Sequence, residues 1–271
     1  MPGSVSAKVK ILRMEKRQIL GIIGIALVWF LVQLIVTIPA GVIVKQVNAA
    51  VPNVHIVGAS GSIWNGSAHN VIVKAGGQNQ EFGKTSWELH GLPLMLGSFA
   101  MDISAKNDKQ SIEGLIKVGM GGSVTAENLN ISLPAKMAQQ FSPLPLDLEG
   151  QFELMLKEVA FANQQVSALK GSLTWQNAAA GMGIAPIKLG NYLAELSLGA
   201  KGEYIADLSD LGGSELGISG RVSFEPTQRQ YNVDARLKMK PSINPQLKGM
   251  LMGLGKPNPQ GEIEVKQSGK V

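Results

Sequence analysis

Residues 231–240 read Tyr-Asn-Val-Asp-Ala-Arg-Leu-Lys-Met-Lys, and the alternation is unbroken. In an extended chain Tyr231, Val233, Ala235, Leu237 and Met239 fall on one side and Asn232, Asp234, Arg236, Lys238 and Lys240 on the other. This predicts a β-strand with one apolar and one wet face. A carboxylate placed at Val233 or Leu237 is therefore expected to unfold the domain, and Asp234→Ser is not. Upstream, Val222 and Phe224 alternate with Arg221, Ser223 and Glu225, and Pro226 to Gln230 supplies the loop of an antiparallel hairpin.

Working outward, a glycine followed by a short alternating run recurs at Gly122, Gly150, Gly171, Gly220 and Gly261. Each is expected to supply positive φ or a tight bend where one strand hands over to the next. Two interruptions read as helices. One is Leu133–Phe141, and the other is Pro245–Met252, with Asn244 as N-cap, Pro245 at the first helical position and Gly253 near the end. The fold class is mainly β, one extended antiparallel sheet with one or two short helices. A longer echo links Pro93–Ser104 with Pro186–Ser197, each preceded by a tryptophan, Trp87 or Trp175. It carries Gly97 and Gly190 at matching positions, with Phe99 against Tyr192, and suggests a duplicated β unit.

The other end of the chain obeys a different period. Ile19 to Ile38 holds no charged residue, and at about 1.5 Å rise per residue it matches a hydrocarbon core of roughly 30 Å. It is longer than the apolar region of a signal peptide, and Asn48-Ala49-Ala50 lies well past it, so an uncleaved transmembrane anchor is expected. Lys8, Lys10, Arg13, Lys16 and Arg17 precede the run and only Lys45 follows it closely, which puts the N-terminus in the cytoplasm and the remainder outside. The expected segments are a basic tail (1–18), an anchor (19–44), a juxtamembrane stalk (45–54) and an extracytoplasmic β-rich domain (55–271) of two related β units. Within the stalk region Val42, Val44, Val47 and Val51 recur at spacings that suggest one helix side.

Charge partition excludes a function class. Of 25 Lys+Arg and 20 Asp+Glu, six bases and one acid lie at or before Lys45, so the exported part is balanced and lacks the basic surface that nucleic acid requires. There is no cysteine, hence no disulfide and no thiolate site. His55, His69 and His90 show no metal-binding spacing, Gly119–Gly122 leads into a strand pattern, and Gly249–Lys256 lacks the spacing of a phosphate loop. No catalytic, cofactor-binding or metal-binding residue is expected, and the chain is not read as an enzyme.

The most distinctive stretch is Gly61-Ser62-Ile63-Trp64-Asn65-Gly66-Ser67-Ala68, a tryptophan plate on a glycine-bent backbone. It can close the end of a sheet or anchor an interface. Together with Thr-Ser-Trp-Glu-Leu (85–89), Gly-Ser-Leu-Thr-Trp-Gln-Asn-Ala (171–178) and Leu-Gly-Asn-Tyr (189–192), in this order behind an N-terminal anchor, it resembles the type II secretion system protein N family. The resemblance implies a single-pass inner-membrane protein accessory to type II secretion, with a fold related to AsmA-like proteins, whose curved antiparallel sheets form an apolar groove. It brings no catalytic residues.

The expected role is a non-enzymatic scaffold or assembly factor. Its partners would be the inner membrane and other platform proteins of the secretion system, reached through exposed sheet edges or the tryptophan motif. The alternative is a protein that holds lipid in an apolar groove. The candidate interaction residues are Gly61, Trp64, Gly66, Trp87, Gly97, Trp175, Gly190 and Tyr192.

Overall fold

The structure, a computed structural model, describes residues 25–27, 29–30, 32–75, 78–95, 97–141, 147–163, 165–181, 185–241, 243–253 and 255–270. The basic tail lies outside the described residues, as do 19–24, 28 and 31 of the expected anchor. Residues 25–27, 29–30 and 32–36 are helical and present exposed apolar side chains, Trp29, Phe30 and Leu34 among them. Among the described residues no helix is long and apolar enough to cross a membrane.

Helix α1 (Ala40–Ala50) follows a break at Thr37–Pro39, where proline cannot continue the preceding hydrogen-bond ladder. Its inward side is Ala40 and Val44, both buried, while Val42 is exposed. The valine spacing therefore identified the helix but not its face. The true face continues to Asn48, whose side chain accepts from the Ile56 N–H at 2.8 Å and donates to the Ile56 carbonyl at 3.1 Å, pinning the helix to the first strand.

Sixteen strands follow among the described residues. They are β1 (Val54–Val57), β2 (Ser60–Gly61), β3 (Asn65–Ala68), β4 (Asn70–Ala75), β5 (Gln78–Glu81), β6 (Lys84–Leu89), β7 (Phe99–Lys106) and β8 (Ser111–Val118), then β9 (Val124–Pro134), β10 (Asp147–Ala162), β11 (Gln165–Gly181), β12 (Ile187–Leu198), β13 (Tyr204–Asp210), β14 (Leu216–Glu225), β15 (Gln230–Met239) and β16 (Glu262–Lys270). β1, β4 and β5 make a small sheet. The other thirteen form one antiparallel sheet in the order β16 through β6 consecutively, then β3 and β2. From β6 onward consecutive strands pair as a simple meander, through turns except at β6–β7, β9–β10 and β15–β16, where a helical segment makes the connection.

The expected hairpin is present, with Val222 opposite Val233 and Phe224 opposite Tyr231. Helix α2 (Gly91–Met95) precedes β7, and helix α3 (Pro245–Met252) has Asn244 as its cap, its side chain accepting from the Gln246 N–H. The expected helix at Leu133–Phe141 is shorter. Leu133 and Pro134 belong to β9 opposite Phe152 and Gln151, and only Ala135–Phe141 winds, as a 3₁₀ helix. The glycine expectation also needs correction. Gly122 and Gly261 sit in turns at positive φ, and Gly150 and Gly220 also take positive φ, but Gly150, Gly171 and Gly220 lie inside β10, β11 and β14 rather than between strands. A Cβ at Gly171 would stand 2.4 Å from the Met155 carbonyl oxygen of the adjacent strand, so close backbone approach explains that glycine rather than a bend.

Register makes one face continuous across the sheet. Leu154, Leu173, Ala194, Leu208, Gly220, Ala235 and Val265 stand opposite one another in a row from β10 to β16. Leu154, Leu173, Ala194 and Leu208 are half-buried rather than buried, so this stretch of the apolar face is open to its surroundings. Only toward the last strands does the face close, where α3 lays Leu247 and Leu251 over Ile187, Leu216 and the fully buried Ile263. The opposite face carries the charges, including Arg221 bound to Asp207 at 2.6 Å and Lys117 to Glu127 at 2.7 Å.

Candidate interaction site

The motif from Gly61 to Ala68 forms a tight hairpin between β2 and β3, closed by the Ser62 N–H donating to the Asn65 carbonyl at 2.9 Å. Two of its glycines are required by the backbone around them. Gly61 has φ +83°, and a Cβ there would meet the Asn65 carbonyl oxygen at 2.6 Å. Gly66 pairs with Trp87 of β6, whose ring lies so close that a Cβ would sit 2.4 Å from its Cζ2.

This hairpin joins the sheet to the end of the N-terminal helix. The Trp64 indole Nε1 donates to the Ile35 carbonyl at 2.9 Å, the Ile63 N–H donates to the Ile38 carbonyl at 3.0 Å, and Pro39 and Ser62 form an isolated antiparallel bridge. The Ile38 carbonyl, just past the helix end, gains its donor from the hairpin, and the Ile35 carbonyl, which also accepts from the Ile38 N–H at 3.4 Å, gains a second and shorter bond. On the sheet side the Trp87 indole donates to the Ile63 carbonyl at 3.2 Å and the Leu89 N–H to the Trp64 carbonyl at 2.6 Å. Trp64 is half-buried, which leaves part of its plate exposed beside exposed apolar helix residues.

The remaining candidates lie elsewhere. Gly97 is a turn residue with φ +75° after α2. Trp175, Gly190 and Tyr192 form a second cluster on β11 and β12, five strands from Trp87 and so roughly 24 Å away at about 4.8 Å per strand. Both echo segments place a strand beside a tryptophan strand, but Trp87 faces Ile103 whereas Trp175 faces Tyr192, a different register.

In the second cluster Trp175 packs between Phe152 at 5.3 Å and Tyr192 at 6.3 Å, centroid to centroid, and its Nε1 donates to the Glu149 carbonyl at 2.9 Å. Phe152, Leu173, Trp175, Tyr192 and Leu208 line an apolar depression of ≈ 230 Å³. The buried Tyr192 hydroxyl donates to the Leu216 carbonyl at 3.0 Å, and burial, with the Asp210 carboxylate second, pushes its phenol up to about 12. Beside it the buried Ser214 exchanges hydrogen bonds with Asn191, and a Cβ at Gly190 would strike the Ser214 Oγ at 2.1 Å. Sequence reading missed Ser214, because a lone serine next to glycines carries no pattern.

His90 lies 2.7 Å from Asp102 with both side chains well exposed, a pair that sequence spacing does not reveal. Among the described residues no group of three or more His, Asp or Glu is placed to hold a metal ion. The site's geometry offers hydrogen-bonded attachment and apolar contact.

A family model described as type II secretion system, protein N, matches residues 52–266. A type II secretion system protein N of Aeromonas hydrophila is 27% identical over 255 residues, covering 92% of this chain and 98% of its own. One from Vibrio cholerae is 28% identical over 224 residues, covering 80% of this chain and 84% of its own. No solved structure matches.

Proposed function

The chain belongs to the type II secretion system protein N family, and from that premise we propose that it acts as a non-enzymatic scaffold or assembly component of the inner-membrane platform. The apolar run from Ile19 anchors it with the basic tail in the cytoplasm, and residues 55–271 form the periplasmic domain. The observation that carries this reading is the joint at Trp64. The Trp64 bond and the Pro39–Ser62 bridge, which includes the Ile63 to Ile38 bond, tie the sheet to the end of the apolar segment, so the half-buried indole sits where the domain meets the bilayer surface and neighbouring membrane proteins. An amphipathic indole suits such a boundary, and a tryptophan fixed on a rigid backbone loses little freedom when a partner covers it.

The test is deletion in a strain that carries the system, followed by complementation with the wild type and with Trp64→Ala. Loss of secreted substrate, or lower abundance of a platform protein, supports the reading. A variant present at wild-type level that fails to complement makes Trp64 a contact, whereas a variant absent from the membrane makes it structural. The open apolar face between β10 and β13 favours a second reading, a site for acyl chains. Unchanged export together with phospholipid that co-purifies with the protein decides for that alternative.

A further inference from the structure

The thirteen-stranded sheet ends at β16, nine residues without proline and without a register shift against β15. Among the described residues only β15 is its hydrogen-bonded neighbour. The direction of its backbone groups can be read from Asn258, whose N–H donates to the Glu262 carbonyl at 2.8 Å while its Oδ1 accepts from the Glu262 N–H at 2.9 Å. Glu262 thus turns its backbone away from β15. By the alternation of an antiparallel ladder Glu264, Lys266, Ser268 and Lys270 do the same. Such an edge is a template for another strand.

The charges on the wet face specify which strand fits. Asp207, Arg221, Asp234 and Lys266 stand opposite one another across β13 to β16, alternating in sign. In the adjacent row Arg236 faces Glu264. The first row ends at the edge in a cation and the second in an anion, two residues apart. We propose that β16 pairs antiparallel with β16 of a second copy of this chain, Val265 opposite Val265, which sets each Glu264 against Lys266 of the second copy. Both rows then continue their alternation across the junction. On the other face the row ending in Ala235 and Val265 meets its own twin. The two-fold axis stands perpendicular to the sheet and keeps both apolar faces on one side, so pairing doubles the open face. The register one residue further along would oppose Lys266 to Lys266, which like-charge repulsion disfavours. This pairing stands or falls separately from the secretion role.

The chain has no cysteine, so single cysteines in the full-length protein, oxidised in native membranes, report the register directly. In the proposed dimer the two Val265 positions form a non-hydrogen-bonded pair about 4.5 Å apart between Cα atoms, within disulfide reach. The two Gln267 positions are offset by four residues, roughly 13 Å, and lie beyond it. Val265→Cys is expected to give a covalent homodimer and Gln267→Cys is not. Adding Glu264→Lys to Val265→Cys should lower the crosslinked fraction roughly tenfold, because two attractive pairs become repulsive, and adding Lys266→Glu as well should restore it. Crosslinking at Val265 no stronger than at Gln267, or to a different protein, overturns the proposal. Failure of the double reversal to restore crosslinking overturns the register. Val265→Cys keeps every native charge, so the first comparison holds even where a charge variant accumulates poorly.

Discussion

The indole Nε1 of Trp64 donates a hydrogen bond of 2.9 Å to the main-chain carbonyl of Ile35, joining the first hairpin of the large sheet to the last turn of the N-terminal helix. Trp64→Phe keeps an aromatic plate and removes the donor. The expected loss is about 1 kcal/mol, confined to the joint, because the Ile35 carbonyl keeps only its longer bond from the Ile38 N–H while the sheet is untouched. Amide exchange should quicken at Ile63, whose N–H bonds to Ile38, and stay unchanged at Val222 and Val233 in the distant hairpin. Equal protection at Ile63 in both proteins means that the indole bond does not hold the joint.

Gly66→Ala should be among the most damaging small substitutions in the chain. The new methyl group would sit 2.4 Å from Cζ2 of Trp87, which is itself held by its bond to the Ile63 carbonyl. The overlap should cost at least about 2 kcal/mol. Gly121→Ala is the control, since nothing lies within 4 Å of its added Cβ. It should change stability by no more than about 0.5 kcal/mol in denaturant unfolding.

Along β15 the two apolar positions separate. Leu237 packs against the core that α3 closes, so Leu237→Asp buries an uncompensated carboxylate at a cost of several kcal/mol and should prevent folding. Val233 is half-buried, as Leu237 is, but stands outside that core, so Val233→Asp should leave a folded protein with a lower unfolding midpoint. Asp234→Ser, on the charged face, should stay within about 0.5 kcal/mol. Equal damage from Val233→Asp and Leu237→Asp would show the apolar face to be closed along its length.

Tyr192 predicts an alkaline limit. Burial, reinforced by Asp210, moves its phenol from 10.0 to about 12 in the folded chain. Below pH 10 the phenol is protonated in both states and the stability is fully present. As pH rises through the interval to 12 the unfolded chain ionises first, and stability falls. The Tyr192 phenol should therefore ionise late by phenolate absorbance. Tyr192→Phe should remove that late step and flatten the alkaline loss.

What the sequence determined is what the chain decides locally. Period-2 alternation placed β14 and β15 and their hairpin, because side-chain direction in a strand follows from the pleat alone. The Asn244–Pro245 cap fixed the start of α3 for the same reason: a cap is satisfied within three residues. Tertiary structure decided whatever depends on neighbours distant in sequence. The bond from Trp64 to Ile35 spans 29 positions, so no local pattern separates a joint from a free plate. Inside the sheet Gly171 answers to backbone in the adjacent strand, while Gly150, at φ +101°, sits at a register shift that only the pairing of β10 with β11 reveals. The apolar row from Leu154 to Val265 reads identically whether or not something covers it. Only the packing of α3 at one end, and its absence from the row between β10 and β13, made the last strands a closed core and left that stretch an open face.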